Sequence, residues 1–129
     1  MLLTILLIDD DYITNVINER LIKDHFPQAD LKVFKDAKTA IQFLREDSDY
    51  YLEEVCVFLD LNMPHINGWE FLRLIEKRNL PLKRKIHILT SSISMKDRVM
   101  ADESAWVVSY IEKPLTPEKL FEAVSKSSD

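Results

Sequence analysis

The sequence predicts a three-layer α/β domain: a doubly wound, five-stranded parallel sheet with helices on both faces. Three observations carry this. Five short apolar runs, Thr4–Ile8, Leu31–Phe34, Val55–Leu59, Lys85–Leu89 and Val107–Ile111, alternate with longer stretches of helical period, the pattern of parallel strands joined by crossover helices. Several of these runs are apolar at consecutive positions, as strands covered on both faces must be. The chain has 129 residues, enough to bury one sizeable core and too few for two full domains.

The opening run, Met1–Ile8, leads directly into Asp9-Asp10-Asp11. It is far shorter than the roughly 20 residues of a membrane span. It also lacks the basic lead-in and small-residue cleavage site of a secretory signal, so it reads as a buried strand. After it, Ile13, Val16, Ile17, Arg20, Leu21 and Asp24 recur at helical spacing, and the apolar side of this stripe is expected to pack on the sheet. Pro27 ends that helix. Comparable stripes follow at Ala37, Ala40, Ile41 and Leu44, at Phe71, Leu72 and Ile75, and at Leu120, Ala123 and Val124. The last is introduced by Thr116 as N-cap and Pro117 at the first helical position. The weakest stretch is Ser94–Trp106, where Met95, Val99, Met100 and Ala105 predict a short or mobile fourth helix. The tail from Ser125 to Asp129 reads as a frayed end. The domain is expected to occupy residues 1–129, with a core over about 2–124 and no attached output segment.

Hydrophobic residues at 47% and charged residues at 30% exclude a disordered chain. A net charge of −5 speaks against a nucleic-acid binder, which would show a basic patch or stripe. The single cysteine, Cys56, lies inside the apolar run Val55–Leu59. It reads as a small buried thiol with no disulfide partner, which fits a reducing cytoplasm.

In a parallel α/β sheet the functional crevice lies beyond the carboxyl ends of the strands. The first strand exits into Asp9-Asp10-Asp11, the third into Asp60, the fourth into Thr90-Ser91-Ser92, and the fifth leads to Lys113-Pro114. Asp11 is best accounted for as a helix N-cap. Asp9, Asp10 and Asp60 brought together would repel one another unless a cation offset them. Oxygen-only ligands suit Mg²⁺, with Mn²⁺ the alternative. Lys113 adds a compact positive charge and Thr90 a hydroxyl donor, both suited to phosphoryl oxygens.

Four segments, Ile8-Asp9-Asp10-Asp11, Phe58-Leu59-Asp60-Leu61-Asn62-Met63-Pro64-His65-Ile66-Asn67-Gly68, Leu89-Thr90-Ser91-Ser92 and Tyr110-Ile111-Glu112-Lys113-Pro114, closely resemble the receiver domain of bacterial response regulators. The likeness runs from about Leu2 to Val124, with the motifs in that family's order and spacing. The resemblance implies a stand-alone receiver with the flavodoxin-like strand order 2-1-3-4-5. It implies that Asp60 accepts the phosphoryl group and that Asp9 and Asp10 position Mg²⁺, Asp10 directly and Asp9 mainly through water. The Asn62 backbone carbonyl would be a further metal ligand. Thr90 and Lys113 would contact the phosphoryl group, the Lys113-Pro114 bond would be cis, and Tyr110 would be the aromatic that moves with Thr90 as a binding face around helix four, strand five and helix five changes.

The donor implied is a phosphohistidine on a sensor histidine kinase or histidine phosphotransfer protein. Such a domain would catalyse its own aspartyl phosphorylation and dephosphorylation without being a turnover enzyme, and would act on an unknown protein target as a monomer or phosphorylation-dependent dimer. No direct nucleic-acid contact and no membrane insertion are expected. Ser91 stands where the family most often has alanine, and Ala105–Ser109 lacks a frequent glycine, while Asn62 and Ser92 occupy positions that tune dephosphorylation. Gly68, the one glycine of the chain, suggests a positive-φ turn in the loop after Asp60. Trp69 reads as a packing residue near the site. His25, His65 and His87 show no metal spacing. Two rival readings are a pseudo-receiver that only binds proteins, and a dehalogenase-type phosphatase using Asp9-x-Asp11; the short chain without a cap segment speaks against the latter.

Overall fold

The computed structural model describes residues 3–46 and 54–127. Strands and helices alternate: β1 (Leu3–Ile8), α1 (Tyr12–His25), β2 (Asp30–Phe34), α2 (Ala37–Glu46), β3 (Glu54–Leu59), α3 (Gly68–Lys77), β4 (Ile86–Thr90), α4 (Met95–Glu103), β5 (Val107–Glu112) and α5 (Pro117–Ser127). All strand pairings are parallel, and the sheet order is β2-β1-β3-β4-β5, as the resemblance implies. Each expected strand is present to within a residue at either end.

Alternate residues along each strand feed two cores, because successive side chains leave opposite faces of a sheet. Leu6, Ile8, Val57, Leu59, Ile86 and Ile88 meet Ala40, Leu44, Phe71 and Ile75 on the face covered by α2 and α3, where Ala101 of α4 also packs. Ile5, Leu7, Cys56, Phe58 and Leu89 meet Ile22 of α1 and Leu120, Ala123 and Val124 of α5 on the other. The stripes expected on α2, α3 and α5 are all buried. Thr116 caps α5 by accepting from the Lys119 amide at 3.3 Å.

Two expectations are corrected. The α1 face turned to the sheet carries Asn15, Asn18 and Ile22, while Ile13 and Ile17 are 66% and 60% exposed and Val16 is exposed beside them. The physical reason is a buried bond that periodicity does not reveal: the Asn15 amide donates to the Asp9 carbonyl at 2.7 Å, turning its side of the helix inward. In α4, short as expected, Ala101 is the buried residue, and Met95 and Val99 point outward.

The tail, finally, is not frayed as far as Ser127, which is fully buried in the last turn of α5. Its hydroxyl donates to the Ala123 carbonyl at 3.0 Å and lies 2.5 Å from His87 Nε2, and its carbonyl accepts from Lys85. His87 Nδ1 is 2.7 Å from the Ser109 hydroxyl. Since the Ser127 proton is committed to Ala123, Nε2–H donates to Ser127 and Nδ1 accepts from Ser109. A neutral imidazole thus ties β4, β5 and α5 together. Burial pulls its pKa down to about 4, with the charges of Lys126 and Arg84 acting in the same direction.

Candidate functional site

The sheet continues past its nominal strand ends, and this brings the sequence-selected residues together. Asp9 donates its amide to Phe34 O at 3.0 Å, Asp60 to Ile8 O at 3.0 Å, and Lys113 to Thr90 O at 2.9 Å. These side chains therefore leave the carboxyl edge from fixed backbone. Asp9 is 2% exposed, Asp60 5% and Thr90 fully buried, while Asp10 is exposed.

Carboxylate oxygens of Asp9, Asp10 and Asp60 all lie within 4.8 Å of one another. Lys113 Nζ stands 2.7 Å from Asp9 Oδ2 and 3.6 Å from Asp60 Oδ2. Asp9 Oδ1 is occupied by the Asp11 amide at 2.9 Å. Three carboxylates thus face one ammonium, two of them largely shielded from water. Burial pushes the Asp60 carboxyl up and the charge of Asp9 adds to it, against the opposing pull of Lys113, the Asn62 amide and the Thr90 hydroxyl. Burial would pull Lys113 down, but its hydrogen bond and charge pairing with Asp9, and then Asp60, hold it above its ordinary value. The donor set is all oxygen with an excess of negative charge, which fits a hard divalent cation.

Asp11 stands apart from this group as the N-cap of α1, accepting from the Ile13 amide at 3.1 Å and the Thr14 hydroxyl at 2.8 Å. These bonds, the Thr14 hydroxyl foremost, hold its carboxyl below the ordinary value.

The loop after Asp60 differs from expectation in one respect. Gly68 has no positive φ; His65 takes the left-handed conformation, with φ 67°. Glycine is required at 68 for closeness instead. A Cβ there would lie 2.7 Å from the Asp60 carbonyl oxygen and 2.8 Å from Leu61 Cα. The start of α3 is pressed on the backbone of Asp60 and held by the Gly68 amide donating to Leu61 O at 3.0 Å. Asn67 and Glu70 close a reciprocal capping box just there.

On the other rim, the Lys113-Pro114 bond is cis, and the Tyr110 hydroxyl donates to Ser92 O at 2.9 Å. The Ser92 amide in turn donates to Thr90 Oγ1 at 3.2 Å. Trp69 is more than packing: its indole N–H donates to Asp97 Oδ1 at 2.9 Å. Neither Asn15 nor Asp97 was marked by the sequence, since a polar helix residue bonded outside its own helix, as Asn15 is to Asp9 and Asp97 to Trp69, breaks no periodic pattern.

A family profile described as the response regulator receiver domain matches residues 5–125. The chain is 33% identical to a two-component response regulator of known structure from Cytophaga hutchinsonii, with a TM-score of 0.87 and coverage of 98% of this chain and 96% of that one. It is 28% identical over 122 residues to the response regulator Rcp1 of Synechocystis, covering 93% of this chain and 82% of that protein. It is 31% identical over 102 residues to the transcriptional regulatory protein FlgR of Helicobacter pylori, covering 78% of this chain but only 24% of that longer protein. With its strand order, carboxyl-edge acidic cluster and lysine, the chain belongs to the response regulator receiver domain family.

Proposed function

We propose that this domain accepts a phosphoryl group on Asp60 from a phosphohistidine of a sensor histidine kinase or phosphotransfer protein, with Mg²⁺ at the acidic cluster, and signals by changing which protein it binds. The supporting observation is the placement of the Asp60 carboxylate, within 4.8 Å of Asp9 and Asp10 oxygens and 3.6 Å from the Lys113 ammonium.

In the reaction an Asp60 oxygen attacks phosphorus, the phosphorus–nitrogen bond breaks with its electron pair passing to the imidazole, and an acyl phosphate results. The attacking carboxylate needs no general base in its ionised form. Lys113 faces the oxygens that gain charge, and Thr90 offers its hydroxyl from β4. Mg²⁺ bound by Asp10, Asp60, the Asn62 carbonyl and, through water, Asp9 would supply the remaining charge neutralisation. Both oxygens of Asp9 are already engaged, by Lys113 and the Asp11 amide, which favours exposed Asp10 as the direct ligand.

The apolar side of α1 supports donor docking: Tyr12, Ile13, Val16 and Ile17 are exposed next to Asp10 and Asp11. Output would pass through Tyr110 to the surface of α4, β5 and α5. Among the described residues no helix is long and apolar enough to cross a membrane, and we place the domain in the cytoplasm with its kinase.

Incubation with Mg²⁺ and a small acyl phosphate donor, read on a phosphate-retarding gel, tests the proposal. A shifted band is expected for the native chain and none for Asp60→Asn. A folded native chain that never shifts would reduce it to a protein-binding pseudo-receiver.

A further inference from the structure

The segment between β4 and α4, residues 91–94, has nothing apolar to hold it: Ser91, Ile93 and Ser94 are exposed. It is fixed instead through Ser92, whose three polar groups are all engaged. The Ser92 hydroxyl donates to Asp97 Oδ2 at 2.7 Å, its carbonyl accepts from Tyr110 at 2.9 Å, and its amide donates to Thr90 Oγ1 at 3.2 Å. Asp97, in the first turn of α4, is itself steadied on its other oxygen by the Trp69 indole at 2.9 Å, and Trp69 belongs to the helix that starts against the Asp60 backbone.

We propose that Asp97 is a positioning residue for the phosphoryl site, acting through Ser92 to aim the Thr90 hydroxyl at Asp60; this rests on the function proposed above. A hydroxyl oxygen that accepts the Ser92 N–H keeps its own proton free to donate elsewhere, and Thr90 ends β4, the strand paired with β3, from whose end Asp60 leaves. Asp97 holds Ser92 with a charge-assisted bond, the stronger kind, so its loss frees the loop and with it the direction of the Thr90 proton. The same residue joins the two rims of the crevice, α3 through Trp69 and β4 through Ser92. Phosphoryl oxygens that pull on Thr90 therefore pull on the first turn of α4.

The test uses the full chain and beryllofluoride, a non-covalent stand-in for the phosphoryl group, titrated by calorimetry at saturating Mg²⁺, with Mg²⁺ affinity and thermal melts measured alongside. Asp97→Ala and Ser92→Ala are each expected to weaken beryllofluoride binding about fivefold to tenfold. The double variant should be no weaker than the worse single one, because both act through one chain of bonds. Mg²⁺ affinity should stay within about twofold, because neither residue is a proposed metal ligand. Trp69→Phe, which removes one of the two donors to Asp97, should lose about twofold to threefold.

Native-like beryllofluoride affinity in either folded alanine variant overturns the inference, as do additive losses or a parallel loss of Mg²⁺ binding. Ser92→Ala lies outside any helix and decides the matter should Asp97→Ala fail to fold. A native chain that binds no beryllofluoride with Mg²⁺ overturns the proposed function and this inference with it, whereas a native chain that binds and variants that bind equally well overturn the inference alone.

Discussion

Acid stability should expose the buried imidazole of His87, which is fully shielded and bonded to Ser109 and Ser127. Its pKa is about 4 in the folded chain against an ordinary 6.5. Between those values the unfolded chain binds the proton and the folded chain does not. Stability therefore rises with pH through this window: the contribution is present in full above pH 6.5, falls on acidification and is exhausted below about 4. The difference corresponds to about 3 kcal/mol, a sizeable part of the roughly 5–15 kcal/mol that holds a domain together. Urea unfolding followed by circular dichroism from pH 4 to 7.5 would measure it, with His87→Gln, which can bond to hydroxyls but does not titrate, as the reference. Carboxylates titrate in both proteins and cancel in the comparison. The native chain should lose about 3 kcal/mol more than the variant on acidification; parallel curves would refute the reasoning.

Gly68→Ala is expected to cost about 1–3 kcal/mol and to lower the rate of Asp60 phosphorylation, because its Cβ would meet backbone atoms at 2.7 and 2.8 Å that cannot rotate away; a melt and a donor assay matching the native chain would contradict this. Mg²⁺ should change the emission of Trp69, which lines a groove with Asn62 and Asp97. A Trp106→Phe background isolates the signal, and a flat titration to millimolar Mg²⁺ counts against the metal site. Cys56, fully buried and pushed up to about 12 by burial, should resist thiol reagents until the chain unfolds. Rapid labelling of the folded chain would be inconsistent with that burial.

On the proposed function, the exposed side of α1 is the face a donor would meet. A helix that buries asparagines and leaves Ile13, Val16 and Ile17 in solvent costs the isolated domain apolar burial that a partner could recover. The bond from Asn15 to the Asp9 carbonyl shows what this orientation secures: the backbone of an acidic-site residue is held from the helix side.

The strands, the β–α alternation and the gathering of Asp9, Asp10, Asp60 and Lys113 at one edge of the sheet followed from the sequence, for one physical reason. Strands buried on both faces must be continuously apolar, so a polar residue at a strand's carboxyl end, as Asp9, Asp60 and Thr90 are, stands out and lands on one edge of a parallel sheet. Tertiary structure alone decided what depends on partners distant in the chain. It turned α1 by a bond to Asp9, made Ser127 a buried ligand of His87, and assigned Gly68 to a close approach and His65 to the positive φ. It also joined Asp97 to Trp69 and Ser92. Periodicity records which residues share a face of an element; it does not record which face a distant hydrogen bond will claim.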